Sequence, residues 1–313
     1  MDYRPAVSEP LDFDSFWDDT ITETRSFDLN VRLQPVDTPY RTVDVYDASF
    51  SGFAGDRIKA WLLSPRHDNG PRPAVVEFVG YNGGRDVPGA SLFWASAGYT
   101  HLLVDTRGQG SAWGGGGETE DPHGSGPHAP GFLTQGVEDP QSYYYRRVFA
   151  DALRAVEAVR SLSDVDATKI AVQGISQGGG ISLAAAGLVK GLVAVMPDLP
   201  FLCHFQRAVD IGELDPYSEI TRYLAVHRGA AATTFATLSY FDGVNFAKRA
   251  SAPALFSVAL MDKVCPPSTV YAAYHAYGGV KDIVVYPFND HEGGLSHQRL
   301  AQINWLNRLI GFA

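Results

Sequence analysis

Cysteine and positive charge are both scarce in this sequence. Cys203 and Cys265 are the only cysteines among the 313 residues. Two cysteines are too few for a disulfide framework, and their spacing is not that of a metal site, so we expect each to be a small buried hydrophobic residue. Lysine and arginine number 25 against 35 aspartates and glutamates, which gives a formal net charge of -10. A nucleic-acid groove needs a basic stripe, so this balance argues against a nucleic-acid partner.

Long apolar runs are missing as well. The N-terminus, MDYRPAVSEPLDFDSFWDD, is acidic and has no apolar core of signal-peptide length. No later segment approaches the ~20 apolar residues that a membrane span requires. We therefore expect no membrane partner and take the cytoplasm as the default location. Hydrophobic residues still make up 45% of the chain, enough to bury a large core.

Short apolar runs separated by helix-length segments dominate the middle of the chain. Residues 43–64 alternate in the strand manner on either side of a Gly-Asp pair, which predicts an antiparallel hairpin. The later runs are typical of buried parallel strands; they lie at residues 73–80, 101–106, 169–174, 191–198, 253–262 and 281–288. Helices are predicted at about 143–162, 177–189 and 295–311. The pattern predicts one α/β domain over residues 1–313, with a mostly parallel, doubly wound sheet.

Two segments interrupt this alternation. Residues 199–250 are aromatic-rich and mostly helical, which predicts an insertion above the carboxyl ends of the strands, where a lid belongs. Its candidate wall residues for a short, closed acyl pocket are Phe201, Phe205, Tyr240 and Phe246. The glycine-rich stretch from Arg107 to Gly136 predicts a long loop, and such loops are usually functional or mobile.

The stretch KIAVQGISQGGGIS places a serine between a predicted strand and a predicted helix. It contains the G-x-S-x-G pattern as Gly174, Ser176 and Gly178. A nucleophile at a sharp strand-to-helix turn has a strained backbone and needs small neighbours where the chain passes close. An ordinary glycine-rich turn would give the same letters, so the rest of the chain must decide.

A serine nucleophile needs a base, and the base needs an acid to orient it. In α/β enzymes whose serine stands at such a strand-to-helix turn, the catalytic residues follow the order serine, acid, histidine along the chain. Asp262 ends the strand PALFSVALMD and His291 follows the last strand, so both fall where that topology predicts. Asp198, which also ends a strand, and His297, in the last helix, are the weaker rivals. Four further histidines are more typical of packed or surface positions: His101, His204, His227 and His275.

The oxyanion of a tetrahedral intermediate needs hydrogen-bond donors. In this fold they are the backbone N–H after the nucleophile and another after an early strand. Those positions are Gln177 and Tyr81, the second within FVGYNGG. A simple turn at YNGG remains an alternative on this stretch alone.

Three short motifs in chain order carry a family resemblance. They are Arg107-Gly108-Gln109, Gly174-x-Ser176-Gln177-Gly178-Gly179 and His291-Glu292. Together they resemble the acetyl xylan esterase and cephalosporin C deacetylase family, carbohydrate esterase family seven. The resemblance implies an α/β-hydrolase fold that deacetylates small acetylated sugars and cephalosporins without a cofactor or a metal. It also implies a homo-oligomer, commonly a hexamer that encloses its active sites.

The resemblance assigns roles to individual positions. It implies Ser176 as nucleophile, Asp262 as acid and His291 as base. It implies Tyr81 and Gln177 as oxyanion donors, and the likeness at Arg107 and Gln109 implies a structural part beside the site, for which an arginine fork is suited.

The chain departs from the family pattern at two places. Val79 stands where relatives usually have histidine, and Ile175 stands where close relatives often have glycine. The first change removes a polar group near the pocket and leaves the fine substrate preference open. The second adds bulk at a tight elbow, and neither touches the three proposed catalytic residues. Two other functions remain open at this point: a noncatalytic ligand-binding or scaffold protein on the same fold, and a serine peptidase, although such peptidases usually carry an additional substrate-selecting domain.

Overall fold

A nine-stranded sheet runs through the residues that the computed structural model describes, Tyr3 and residues 5–66, 70–124 and 130–312. The strands are β1 (Arg32–Val36), β2 (Val43–Ser51), β3 (Arg57–Pro65), β4 (Arg72–Phe78), β5 (Thr100–Val104), β6 (Val165–Ile175), β7 (Ala194–Asp198), β8 (Ala254–Ala259) and β9 (Lys281–Tyr286). Their spatial order is β1-β2-β3-β5-β4-β6-β7-β8-β9. The pairs from β5 through β4 to β9 are parallel, and β1, β2 and β3 add an antiparallel extension.

The described residues form ten α-helices, four of them consecutive between β7 and β8. They are α1 (Phe13–Arg25), α2 (Phe93–Ser96), α3 (Tyr144–Arg160), α4 (Gln177–Leu188), α5 (Phe205–Ile211), α6 (Tyr217–Val226), α7 (Ala231–Ser239), α8 (Gly243–Arg249), α9 (Pro267–Ala276) and α10 (Leu295–Ile310). The predicted α/β fold and its three clearest helices are confirmed. Within these described residues, no helix combines the length and the apolar character needed to cross a bilayer.

Both faces of the sheet are covered by helices. Successive side chains of a strand point to opposite faces. Val75 of β4 packs with Trp94 of α2 and Leu306 of α10 on one face. Its neighbour Val76 belongs to the larger core on the other face, with Ile181 of α4. This double coverage explains why the parallel strands are continuous apolar runs in the sequence.

The predicted hairpin is confirmed, with one unpredicted strand beside it. β2 and β3 pair from Val43↔Pro65 to Ser51↔Arg57, and the turn between them contains Gly55 at φ 79°. A positive φ of this kind favours glycine. The strand β1 pairs with β2 at the sheet edge, and most of its residues are exposed, so it lacks the apolar pattern that announces a buried strand.

The segment between β7 and β8 is helical, as predicted for residues 199–250. Its aromatic residues, however, do not form the predicted wall of the cavity. Among the described residues, none of the four predicted wall residues lines the cavity beside Ser176: Phe201, Phe205, Tyr240 and Phe246. The first, second and fourth are buried in the main core, and the third packs against it. The prediction was wrong because these aromatic residues pack in or against the core instead of facing the cavity. Phe246 is the clearest case, since α8 packs on α4 so closely that a Cβ at Gly187 would lie 2.9 Å from the Phe246 carbonyl oxygen.

The glycine-rich stretch from Arg107 to Gly136 contains no helix and no strand of the sheet in its described part. Residues 125–129 of this predicted loop lie outside the described residues.

Candidate active site

Ser176 occupies the sharp turn between β6 and α4. Its φ of 56° and ψ of −118° lie in a region that non-glycine residues seldom adopt. The flanking glycines are required by close backbone approaches. A Cβ at Gly174 would lie 2.4 Å from the Gly178 carbonyl carbon, and one at Gly178 would lie 2.0 Å from the Phe78 carbonyl oxygen. The G-x-S-x-G pattern therefore holds the serine at a strained elbow.

The structure brings Ser176, His291 and Asp262 together. His291 Nε2 lies 3.0 Å from Ser176 Oγ, and His291 Nδ1 lies 2.9 Å from Asp262 Oδ2. The other carboxylate oxygen of Asp262 accepts the backbone N–H groups of Val264 and Cys265, each at 2.8 Å. The Asp262 side chain is fully buried while that of His291 remains 30% exposed. A fixed, buried acid thus orients a histidine that substrate can approach.

The rival acid Asp198 and the buried His101 occupy other surroundings. The Asp198 carboxylate accepts a hydrogen bond from the Ser257 hydroxyl, and its backbone carbonyl accepts the Ser176 N–H at 2.9 Å. Burial raises the pKa of Asp198 to about 6. Buried His101 pairs with Glu77 at 2.9 Å. Asp198 therefore contacts the backbone of Ser176 and not the His291 ring, and His101 is paired with another residue.

Four further histidines lie away from Ser176. The His204 ring lies 2.8 Å from the Tyr3 hydroxyl, and the His227 ring stacks on Tyr223. The His275 ring stacks on Tyr271 of the same helix. His297 lies in the first turn of α10 and is exposed.

Two turns present the predicted oxyanion donors. Tyr81 follows β4 and lines the same cavity as Ser176, while Gln177 is the first residue of α4. The hydrogen bonds formed among the described residues give neither backbone N–H an acceptor. The Tyr81 carbonyl accepts the Trp113 indole N–H at 2.9 Å, which fixes the orientation of that part of the turn.

Gln109 connects the two turns. Its side-chain oxygen accepts the Asn82 N–H at 2.7 Å, and its amide nitrogen donates to Gln177 Oε1 at 2.9 Å. The Gln177 amide donates in turn to the Val79 carbonyl at 3.2 Å. A buried glutamine therefore holds the β4 turn and the start of α4 in one fixed arrangement.

Comparison with known proteins identifies the family. The acetyl xylan esterase family model matches residues 1–309. The chain belongs to the acetyl xylan esterase family. It is 29% identical to the acetyl esterase Axe7A of Xylanibacter ruminicola over 98% of this chain and 69% of that protein.

Two solved members of the family are similar over almost their full length. The acetyl xylan esterase of Paenibacillus sp. R4 is 38% identical, with a TM-score of 0.91 over 98% of this chain and 97% of that one. Acetyl xylan esterase 1 of Thermoanaerobacterium sp. JW/SL YS485 is 33% identical, with a TM-score of 0.88 over 98% and 96% of the two chains. This member of the family is a carboxylic ester hydrolase, and its relatives indicate acetyl esters as the substrate class.

Arg107, the other structural residue of the motif, lies away from the reacting atoms of this esterase. Its buried guanidinium donates to both oxygens of Asp151, at 2.6 and 2.8 Å, and to Asp56 at 2.8 Å and Asp121 at 3.3 Å. These carboxylates keep the pKa of Arg107 raised although burial alone would lower it. The residue ties the hairpin turn, α3 and the long loop together.

Helix α6 of the inserted segment reaches the site through Glu219. One of its carboxylate oxygens accepts the Tyr81 hydroxyl at 2.6 Å, and the other accepts the Leu133 N–H at 3.1 Å. The Tyr81 hydroxyl itself accepts the N–H groups of Gly131 and Phe132. Burial and the adjacent carboxylate both raise the pKa of Tyr81, so the hydroxyl keeps its proton. Sequence reasoning missed Glu219, because this contact spans 138 positions.

The two departures from the family pattern differ in their positions. Val79 is buried in a small core cluster with Val43 and Leu103 and does not line the described part of the cavity. Ile175 does line it, beside Ser176. The change that shapes the pocket is therefore the isoleucine before the nucleophile.

A cavity of about 400 Å³ opens over the serine. Its walls include Trp113, Pro216 and Glu219 as well as Ser176 and His291. Among the described lining residues there is no lysine or arginine. The volume lies in the range of small-molecule sites, and the walls offer acceptors rather than cations.

Asp262, Cys265 and His291 present potential metal ligands within 4.8 Å of one another. The carboxylate and the imidazole are already bonded to each other, and the imidazole also contacts Ser176. Burial raises the pKa of the Cys265 thiol well above its usual value, so it stays protonated. This group fits a hydrogen-bonded triad better than a metal site.

Proposed function

We propose that this acetyl ester hydrolase removes acetyl groups from acetylated xylo-oligosaccharides and related small esters through an acyl-enzyme on Ser176. The observation that carries the proposal is the chain of contacts from Ser176 Oγ through His291 to buried Asp262. These contacts also argue against a noncatalytic scaffold, because such a protein would need neither the strained serine nor its base.

The proposed reaction uses these contacts in sequence. Ser176 Oγ attacks the acetyl carbonyl carbon while His291 Nε2 accepts its proton, and Asp262 stabilises the resulting imidazolium. The backbone N–H groups of Tyr81 and Gln177 stabilise the oxyanion. When the intermediate collapses, the sugar alcohol leaves with the proton from His291. Water then attacks the acetyl-serine by the same route, which releases acetate and restores the serine.

The charge of the pocket walls supports neutral sugars as the preferred alcohols. Asp215 and Glu219 line the cavity, and no described lining residue is cationic. Cephalosporin C, the other substrate that the resemblance implies, has an acetyl ester that Ser176 can attack in the same way. It also carries carboxylates, which find no lysine or arginine to pair with among the described lining residues. We therefore expect cephalosporin C to be deacetylated with a lower kcat/KM than a neutral acetylated xylose.

The experiment compares two serine variants in the same helix region. Ser176→Ala should lower kcat for acetylated xylose by ~10⁴ to 10⁶, as removal of a triad member typically does. Ser182→Ala is the matched control, because the buried Ser182 hydroxyl only donates to the Gly178 carbonyl at 2.8 Å. Mass spectrometry of quenched wild-type turnover should find one acetyl group on the peptide that contains Ser176.

Two results would contradict the proposal. One is activity above a few per cent in purified, folded Ser176→Ala protein. The other is an acetyl group on a different residue. A peptidase on this site should instead cleave peptide substrates faster than acetyl esters, which the same assay series can test with an acetylated dipeptide.

A further inference from the structure

Trp113 is an exposed aromatic residue in the wall of the cavity. It is 50% exposed although it lines the same pocket as Ser176 and His291. A large aromatic side chain left half in solvent at a site is more informative than a scattered exposed apolar residue. Neither the triad nor the oxyanion turn uses its free surface.

The ring is held in one orientation. Its indole N–H donates to the Tyr81 carbonyl at 2.9 Å. It lies so close over the glycine turn that a Cβ at Gly83 would be 2.2 Å from Trp113 Cζ2, and one at Gly80 would be 3.2 Å away. The preceding Ala112 N–H donates to the Asn82 carbonyl at 3.2 Å. One side of the indole is therefore fixed against backbone, and the remaining surface is free.

An unpaired donor lies beside this ring. Asn82 also lines the cavity and is only 2% exposed. Its side-chain oxygen accepts from Ser111, at 3.1 Å from the hydroxyl, but its amide nitrogen has no partner among the described residues. A buried donor without a partner costs free energy unless a ligand satisfies it. The surroundings of Trp113 thus combine an apolar face, an unused donor and the Glu219 carboxylate of α6.

We propose that the free face of Trp113 is the platform on which the sugar ring of the acetylated substrate stacks. The C–H groups on one face of a pyranose are apolar and slightly positive, and they complement the negative face of an indole. Hydroxyl groups around the edge of the sugar ring then lie near polar residues that line the cavity, such as Asn82 and Glu219. This inference rests on the proposed function and deepens it, because it names a neutral pyranose as the group recognised on the alcohol side of the ester.

The kinetic test compares two substrates in wild-type protein, Trp113→Leu and Trp113→Phe. Xylopyranose tetraacetate carries the ring, and ethyl acetate carries the same acetyl group on an alcohol that is neither a ring nor an aromatic. In Trp113→Leu, kcat/KM should fall for both because the bond to the Tyr81 carbonyl is lost. The fall should be about tenfold larger for the sugar ester, equivalent to about 1.4 kcal/mol, and should appear mainly in KM. Trp113→Phe should retain most of the sugar preference.

Trp305→Leu is the matched control. Trp305 lies in α10 and is partly buried against the core cluster that contains Val75 and Trp94, away from the cavity. The same substitution there should leave the ratio of the two kcat/KM values unchanged. Circular dichroism and thermal melting of each variant report whether it folds.

A binding experiment separates this inference from the proposed reaction. In the Ser176→Ala background, calorimetry should detect unacetylated xylobiose, and adding Trp113→Leu should weaken that binding about tenfold. Equal losses for sugar ester and ethyl acetate would overturn the platform, since Trp113 would then only support the Tyr81 turn. If wild-type protein cleaves ethyl acetate but not the sugar ester, and xylobiose does not bind, the proposed sugar substrate fails as well.

Discussion

Two aspartates follow neighbouring parallel strands beside Ser176, and their contacts distinguish them. Asp262, after β8, lies 2.9 Å from His291 Nδ1. Asp198, at the end of β7, accepts from Ser257 instead. The two acids therefore allow a direct comparison of the proposed acid, which contacts His291, with an acid whose backbone carbonyl accepts the Ser176 N–H.

We expect Asp262→Asn to lower kcat by ~10⁴, because an amide cannot hold the histidine tautomer that accepts the serine proton. Asp198→Asn should keep at least a tenth of the wild-type kcat, since the amide oxygen still accepts from Ser257. Acetate release from ethyl acetate under saturating conditions measures both. The reverse order of losses would assign the acid role to Asp198.

Asp198 should also affect stability in a pH-dependent way. Burial raises its pKa to about 6, although the hydrogen bond from Ser257 lowers it. The folded protein therefore binds this proton more tightly than the unfolded chain does. The resulting stabilisation is fully present below the unfolded pKa of ~3.9, and it is lost as the pH rises through about 6.

Asp198→Asn removes this titration. We expect the free energy of unfolding of the variant, relative to wild-type protein, to rise by ~1 to 3 kcal/mol between about pH 4 and about pH 8. Urea unfolding of both proteins at the two pH values measures the change. The same difference at both pH values would show that the buried carboxyl does not titrate in this range.

At this scale, sequence reasoning placed some residues of the site and missed others for one physical reason. Ser176, Asp262 and His291 stand at the ends of predicted strands, and the fold fixes which strand ends meet. Trp113 and Glu219 reach the cavity from a loop and from a helix of the insertion. Neither has a local pattern, because its position depends on long-range packing.

The inserted helices contribute to the site through one element, α6. Glu219 joins it to the Tyr81 side chain and to the Leu133 N–H. Burial raises the pKa of Glu219, partly offset by the hydrogen bond from Tyr81. Helix α8 is different, because it forms part of the core beneath α4. The insertion therefore contains one helix that borders the cavity and one that stabilises the fold.

Glu219→Gln tests this connection. A carboxylate accepts from both Tyr81 and Leu133, whereas an amide must lose one of the two bonds whichever way it turns. We expect the free energy of unfolding to fall by ~1 to 3 kcal/mol, and kcat/KM to fall roughly tenfold as the Tyr81 turn loosens. Denaturant titration and ester hydrolysis measure the two effects.

The control for this variant is Glu213→Gln. Glu213 lies in the same inserted segment but is exposed, so neither quantity should change. If both variants behave like wild-type protein, α6 does not hold the oxyanion turn.

Helices and strands could be predicted from the sequence where one apolar pattern dominates the segment. The parallel strands and α3, α4 and α10 have strong apolar patterns, and the structure confirms them. The aromatic residues of the insertion indicated burial but not the partner that covers them. Phe246 was predicted at a cavity wall and instead contacts Phe13, Trp17 and Phe149, because composition alone cannot distinguish a pocket wall from a helix-helix interface.

At the scale of the whole molecule, the assignment of residues 1–313 to one domain stays a prediction. We propose that the chain forms a homo-oligomer, as the family resemblance implies, with a hexamer as the expected size. Exposed apolar residues gather beside the edge strand β9 and support this: Leu260, Met261, Val285, Phe288 and Leu295. An edge strand flanked by exposed apolar side chains is a common site of association.

Phe288→Glu should weaken this association. Phe288 is 87% exposed in the isolated chain, so the charge costs little there, whereas burying it unpaired between subunits would be costly. Light scattering after size-exclusion chromatography should give a multiple of 33.9 kDa for wild-type protein and a smaller mass for the variant.

Leu11→Glu provides the matched control, since Leu11 is fully exposed and lies before α1. The mass of this variant should equal that of wild-type protein.

Subunits that enclose the cavities would also restrict the access of polymers to Ser176, so wild-type protein should release acetate faster from xylan after endoxylanase digestion than before. Dissociated Phe288→Glu protein should show a smaller gain from digestion, because the opened cavity admits longer chains. A wild-type protein that is monomeric at micromolar concentration would contradict the oligomer, and an unchanged gain from digestion in a dissociated variant would assign the size limit to the walls of a single subunit.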